Sequence, residues 1–345
     1  MRVAIVSPVW FPVPPTGYGG IEWVVSLLAD GLVDAGHDVA LFASGDSRTT
    51  ADLRAIYERA PSEWIGNTFW ELRHFMYALD SADEFDILHD HTGLLGLTLT
   101  GLSRTPAVHT VHGPMNGEAG ELYATICRLN PAAKLISLSL NQRKPRPELP
   151  WLANCPNALD FSLYPGTAHR GDYLCFLGRM SPEKGCHRAV AVAREAGLPL
   201  KIAGKNREPL ERQYFDEFVA PHLDDQIEYL GEVNHGEKVE LLGNARATLF
   251  PIQWEEPFGL VMIESMACGT PVIATRWGAV EEVIEDGVNG AIVYRYQDMP
   301  AALERTDALE PAAIRASIEE QFAPERMVRD YVAAYEAAVS IAGSA

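Results

Sequence analysis

The chain has 345 residues, 47% hydrophobic and 22% charged, which suits a water-exposed globular protein and is long enough for two cores. Its 28 Lys+Arg against 47 Asp+Glu leave a net charge of −19, which excludes the broad basic surface that a nucleic-acid partner requires. Five dispersed cysteines without a Cys-x-x-Cys spacing argue against a disulfide or zinc framework. With no apolar run of ~18 residues and no leader after Met1-Arg2, the expectation is a cytoplasmic protein with no strong membrane signal.

Val3–Ser7 is an apolar, β-branched run of the kind that forms a buried parallel strand. A Pro/Gly-rich loop, 8–20, follows, then a helix over 21–36 with apolar residues at helical spacing, then a strand over 37–43. Strand, glycine loop, helix, strand is a βαβ unit and predicts an open parallel sheet. Gly17-Tyr18-Gly19-Gly20 lacks the third glycine of a dinucleotide fingerprint, since Glu22 stands there, so nicotinamide binding is disfavoured. Glycines before a helix still allow close backbone approach to a phosphate, although a plain tight turn explains them too.

In 47–80 the aromatic residues Trp64, Phe69, Trp70, Phe75 and Tyr77 either fill core or line an acceptor cavity, core being the commoner use. Next come Asp86–His91, a helix-like 94–102 and a strand over 107–111. His89-Asp90-His91 sits at a strand end without a carboxylate or cysteine set to complete it, so no metal site is expected. His112 falls at the carboxyl end of a predicted parallel strand, where open α/β sheets place their sites. His109, three residues earlier, faces the other side and is expected in the core. A strand over 135–138 closes the first half, and the basic, proline-rich 141–150 reads as a solvated loop.

The second half restarts the pattern. Strands are expected over 173–177, 200–203, 227–230, 247–250 and 272–274, with a helix over 187–196. Between them lie Gly178-Arg179-Met-Ser-Pro-Glu-Lys184-Gly185 and the stretch 251–290. There Glu256 precedes a Pro-Phe-Gly turn and Glu264 lies one turn into the following helix. A helix start lined by amides favours an anion such as phosphate. Carboxylates beside it would repel that anion, so they are expected to accept hydrogen bonds from neutral sugar or ribose hydroxyls. Two solvated charges are the bland reading of such a pair.

Glu256-Pro-Phe-Gly-Leu-Val-x-x-Glu264-x-Met-Ala-x-Gly-x-Pro-Val-Ile-Ala resembles the donor-site signature of glycosyltransferase family 4, whose members are retaining enzymes of GT-B architecture. The resemblance covers most of the chain and is strongest from Gly178 to Gly290. Pro156-Asn157-Ala158-Leu159-Asp160 resembles the family's interdomain Pro-Asn-Gly-x-Asp, with Ala158 in place of glycine. GYGGIEWVV and LFASGDS are similar to a bacterial branch that includes the avilamycin eurekanate transferase and tetrahydrobiopterin glucosyltransferase.

The resemblance implies two Rossmann-like, doubly wound parallel-sheet domains facing a cleft. An acceptor-side domain would span 1–165 and a donor domain 166–323, the crossover lying near Pro165–Gly171, and a helix over 324–345 would pack back on the first. It implies transfer of a hexose, with retention, from a nucleoside-diphosphate sugar, UDP-glucose being the first guess. Arg179 and Lys184 would neutralise the departing diphosphate, and Glu256 would hold a sugar hydroxyl. Glu264 would hold the ribose, and His112 would contact the sugar. Gly19, Gly20 and the helix start at Phe258, Gly259 and Leu260 would approach the diphosphate. Asp-x-Asp is absent, so no metal cofactor is expected. The acceptor (small molecule, glycan or lipid-linked) stays open. A nucleotide-sugar 2-epimerase, a two-carboxylate hydrolase and a non-catalytic nucleotide-sugar binder are the alternatives. The hydrolase leaves Arg179 and Lys184 unexplained.

Overall fold

A computed structural model describes residues 1–167 and 170–344. The chain divides into two compact units, Met1–Ala158 with Pro324–Ala345, and Leu159–Ala323. The crossover expected near Pro165–Gly171 includes Ala168 and His169, which lie outside the described residues.

The first unit is built on β1 (Arg2–Val6), α1 (Gly20–Asp34), β2 (Asp38–Phe42), β3 (Asp52–Arg54), α2 (Thr68–Asp80), β4 (Ile87–Asp90), α3 (Leu94–Leu99), β5 (Ala107–Thr110), α4 (Gly117–Leu129), β6 (Leu135–Ser137) and β7 (Trp151–Asn154). Its sheet is parallel in the order β3-β2-β1-β4-β5-β6-β7. Val3, Ala4, Ile5 and Val6 are all fully buried, as expected of a strand covered on both faces. In α1 the buried Val24, Val25, Leu28, Ala29 and Leu32 form the stripe their spacing predicts.

β7 corrects the expectation that the strand over 135–138 would be the last of this half. Prolines at 145, 147 and 150 hid it, but they precede Trp151, so the strand itself keeps every backbone N–H. The aromatic stretch splits: Phe75 is buried in the core, while Trp64 and Phe69 are exposed.

The second unit comprises β8 (Tyr173–Leu177), α5 (Cys186–Ala196), β9 (Leu200–Ala203), α6 (Pro209–Phe218), β10 (Ile227–Tyr229), α7 (His235–Gly243), β11 (Ala245–Phe250), α8 (Leu260–Ala267), β12 (Val272–Thr275), α9 (Val280–Val283), β13 (Gly290–Val293), α10 (Met299–Asp307) and α11 (Pro311–Glu319). Its parallel sheet runs β10-β9-β8-β11-β12-β13. Leu174, Phe176, Ile202, Leu249 and Ile273 supply the centre of its core. Both sheets are doubly wound, so each has a point where the strand order reverses: β1 beside β4, and β8 beside β11.

The last helix, α12 (Pro324–Gly343), belongs to the first unit. Pro324 opens it, where the missing N–H costs nothing. Met327, Val328, Tyr331, Ala334, Tyr335 and Ala338 form its buried stripe. A Cβ at Gly31 would lie 2.7 Å from Val328 Cγ2, so glycine there lets α12 pack closely on α1. Arg326 donates 2.7 and 2.9 Å hydrogen bonds to the carbonyls of Pro156 and Asn157, anchoring the start of the helix.

Candidate functional site

In the second unit the loops leaving β8 and β11, neighbours in the sheet, emerge side by side at the order reversal. This is where doubly wound sheets bind ligands. The first loop carries Arg179 and Lys184, the second Glu256. Gln253 N donates to Glu183 O at 3.2 Å, and Arg188 reaches from α5 to the Pro251 carbonyl at 2.9 Å. Lys184 Nζ completes the link with a 2.5 Å bond to Glu256 Oε2 and stands 4.7 Å from the centre of the Trp254 ring. Arg179, Lys184 and Glu256 therefore share one end of the sheet.

Glu256 is pinned by its backbone as well. Its carbonyl accepts from Ala279 N at 3.0 Å, and a Cβ at Gly278 would lie 2.3 Å from Glu256 N. Gly278 has φ +58, so glycine is needed there both for the backbone conformation and for the close approach. Around this loop three buried side-chain donors have no partner among the described residues: Arg179 Nε, Ser181 Oγ and Trp254 Nε1. Buried donors are normally paired, so these three can donate to a ligand or to water.

The turn before α8 places Gly259 in the left-handed region, φ +86, as the residue that caps the helix. Leu260 begins the helix, and Phe258 turns inward against Phe322 with ring centres 5.6 Å apart. Phe258 thus anchors the turn with its side chain and has only its backbone to offer a ligand. The first amides of α8 lack intrahelical acceptors, which gives this end a partial positive charge.

Glu264 lies one turn in and is nine-tenths buried. It accepts a 2.8 Å bond from Tyr164 Oη and pairs with Lys238 Nζ. Lys238 also stands 5.5 Å from the centre of the Tyr164 ring, and burial, reinforced by the carboxylate beside it, pushes the Tyr164 phenol pKa far up. Each carboxylate of the pair therefore has its own lysine: Glu256 has Lys184 and Glu264 has Lys238. Tyr164 and Lys238 were not legible in the sequence. They lie 100 and 26 positions from Glu264, and no spacing rule connects them.

In the first unit His112 emerges just past β5 with part of its surface exposed. His112 Nε2 lies 2.9 Å from His91 Nδ1. Burial holds the His112 imidazole far below its ordinary range, to about 3, so it is neutral at physiological pH. His109 is in the core, as expected, and pairs with the buried Asp90 on the opposite face of the strand. Gln142, in the basic stretch read as a solvated loop, is buried. Its amide donates 2.8 Å bonds to the carbonyls of Val111 and Gly113, bracketing His112. The solvated-loop expectation holds for Lys144, Pro145, Pro147 and Glu148, which are exposed, and fails at Gln142, whose buried amide satisfies carbonyls that the end of β5 leaves open.

Gly19 and Gly20 sit at the start of α1, Gly19 with φ +149. A Cβ on Gly19 would meet Pro15 at 2.8 Å and Glu22 Oε2 at 2.9 Å. Glu22, where a third glycine would stand in a dinucleotide fold, is 4% exposed, and burial pushes its pKa up to about 8. The acid is then mostly protonated near neutral pH and does not repel an anion at the glycine turn. The described residues hold no group of three or more His, Cys, Asp or Glu arranged for a metal ion.

Comparison with known proteins bears on both halves. A family model for Glycosyl transferases group 1 matches residues 165–321, and one for Glycosyltransferase Family 4 matches residues 18–156. The chain belongs to the family 4 glycosyltransferases. The glycogen synthase of Mycobacterium tuberculosis (strain H37Rv) is 26% identical, over 95% of this glycosyltransferase and 89% of its own length. The D-inositol 3-phosphate glycosyltransferase of Arthrobacter sp. (strain FB24) is 26% identical, over 90% of this chain and 86% of its own. Among solved structures, AviGT4, a glycosyltransferase involved in Avilamycin A biosynthesis, has a TM-score of 0.75 and 28% identity, covering 98% of both chains. HepE from Anabaena, solved in complex with UDP and glucose, shares the fold at 18% identity. Its TM-score is 0.75, over 96% of this glycosyltransferase and 98% of HepE. Two Rossmann-like domains of GT-B type are thus the architecture of the family and of this member. No described helix is long and apolar enough to cross a membrane.

Proposed function

We propose that this glycosyltransferase transfers a hexose, with retention, from a nucleoside-diphosphate sugar to a hydroxyl acceptor. The observation that carries the reading is the convergence of Arg179, Lys184, Glu256 and the start of α8 at the order reversal of the second sheet. Breaking the bond between the sugar and the diphosphate leaves negative charge on phosphate oxygens. Fixed cations and helix-start amides stabilise that charge without having to reorganise. The Arg179 fork suits phosphate oxygens, and the Lys184 ammonium, shared with Glu256, suits the junction between phosphate and sugar. Glu256 accepts from a sugar hydroxyl and Glu264 from the ribose. Family resemblance gives His112 a sugar contact and Gly19 and Gly20 a diphosphate contact. Metal independence, the uridine base and a cytoplasmic location belong to the same proposal.

Transfer with retention needs no protein nucleophile in this reading. The departing phosphate oxygen takes the acceptor's proton on the face where the new bond forms. The test is nucleotide release from UDP-glucose, then from other nucleoside-diphosphate hexoses, with and without candidate acceptors, in the presence of EDTA. UDP release stimulated by an acceptor, with the α-anomer as product, is the expected result. An altered free nucleotide sugar would indicate epimerisation instead. Binding detected by thermal shift without release in any combination would indicate a non-catalytic binder.

A further inference from the structure

Alternation along β4 and β5 puts His89, His91, Thr110 and His112 on one face of the first sheet, the face that α12 covers with Tyr331 and Tyr335. The polar atoms form an unbroken series. His112 Nε2 is 2.9 Å from His91 Nδ1, and His91 Nε2 is 3.3 Å from His89 Nδ1. His89 Nδ1 is also 2.7 Å from Tyr335 Oη, and His89 Nε2 is 2.7 Å from Thr110 Oγ1. Thr110 Oγ1 is in turn 3.1 Å from Tyr331 Oη. All but His112 are buried from solvent.

We propose that His91, His89 and Tyr335 are positioning residues that set which ring nitrogen of His112 carries its proton. Burial pushes the pKa of His89 and His91 well down, so each ring is neutral and has one N–H and one bare nitrogen. Two arrangements make every contact a hydrogen bond, with the single lone pair or N–H of His89 Nδ1 shared between Tyr335 and His91. In one, Tyr335 donates to His89 Nδ1, His89 donates from Nε2 to Thr110, and His91 donates from Nε2 to His89. His112 must then donate from Nε2 to His91, which leaves its Nδ1 bare as an acceptor. In the other, Thr110 donates to His89 Nε2, and His89 donates from Nδ1 to Tyr335 and His91. His91 then donates from Nδ1 to His112 Nε2, and His112 Nδ1 becomes a donor.

A mixed arrangement sets two lone pairs or two N–H groups against each other and forfeits a buried hydrogen bond. The rings therefore switch together, and a hydroxyl on the last helix is coupled to the free nitrogen of His112. The catalytic consequence rests on the proposed sugar contact of His112; the coupling itself does not.

Histidine side-chain 15N spectra of the full chain report which nitrogen of His112 is protonated, with assignment by His112→Gln. In each arrangement one hydroxyl accepts the buried N–H of His89: Thr110→Val removes that acceptor from the first, and Tyr335→Phe leaves that N–H in the second only the longer 3.3 Å contact to His91, each with little change of shape. One of the two variants is expected to invert or mix the His112 tautomer. In a His91→Gln background neither variant has any effect on it. Unchanged His112 shifts in both single variants, with the fold intact, would overturn the coupling. Turnover is a separate readout: the tautomer-shifting variant is expected to lower kcat about tenfold at unchanged donor KM. A tautomer shift with unaltered turnover would leave the coupling standing and remove the sugar contact from His112.

Discussion

Lys184 Nζ lies 2.5 Å from Glu256 Oε2, so a largely buried ion pair joins the loop after β8 to the loop after β11. The carboxylate side chain is only 9% exposed, and among the described residues its ion-pair partner comes from the loop after β8. Lys184→Met would leave that charge uncompensated and cost about 2 kcal/mol or more. The double variant Lys184→Met/Glu256→Gln should recover most of the lost Tm but none of the nucleotide release. Recovery of both would mean that the pair serves the fold alone.

Arg179 makes a different case. Its pair with Glu183, at 3.0 Å, leaves about a third of each side chain exposed, 36% and 32%. Such a pair contributes roughly 0–1 kcal/mol. Arg179→Ala should hardly move Tm, while turnover falls by about 10²–10³, the usual loss when one fixed donor to a developing oxyanion is removed. Turnover near wild type would take Arg179 out of the reaction.

Gly278→Ala tests the backbone clamp on Glu256. The new Cβ would sit 2.3–2.8 Å from the backbone N, O and Cα of Glu256, at a φ of +58. Backbone cannot swing aside as a side chain does, so the loop must shift. A loss of at least about 1 kcal/mol in stability is expected from the conformation alone, and a larger loss in kcat. Urea unfolding and initial rates measured on the same preparation check both.

Tyr164→Phe removes a 2.8 Å hydrogen bond to Glu264 and leaves Lys238 in place. About 1 kcal/mol of stability should be lost. If Glu264 holds the ribose, donor KM should rise several-fold with kcat nearly constant. An effect confined to kcat would place Glu264 nearer the reacting carbon.

Glu22 sets a pH dependence of stability. Its pKa rises from an ordinary 4.5 to about 8 on folding, because burial penalises the charge. Between those values the folded chain holds a proton that the unfolded chain releases, so rising pH favours unfolding. The stabilisation relative to an ionised carboxylate is complete below about 4.5 and is lost as pH climbs through about 8. Glu22→Gln should abolish this slope, and the variant should gain on wild type by several kcal/mol between pH 5 and about 9. Parallel stability curves for the two proteins would show that Glu22 is not held neutral.

The two-domain α/β plan was legible because parallel strands buried on both faces read as short apolar runs, of which VAIV and YLCFL are examples. The loops after β8 and β11 were legible too, since Arg179, Lys184, Glu256 and Glu264 occupy motifs that lie within single loop–helix segments. β7 was not, because the prolines before it mask the strand signal. Gln142 was hidden for a similar reason: its surroundings are basic and proline-rich, while its partners are carbonyls 29 and 31 positions away.

Residue order by itself determined the alternating strands and helices, the glycine turns and the kinds of side chain brought to each strand end. Those follow from local periodicity and backbone preference. Only the tertiary structure decided which lysine neutralises which carboxylate, that Tyr164 caps Glu264, and that Tyr335 meets His89 across 246 positions. Such pairings are set by how sheets and helices stack. Chain separation carries no information about them, and burial makes each one energetically consequential.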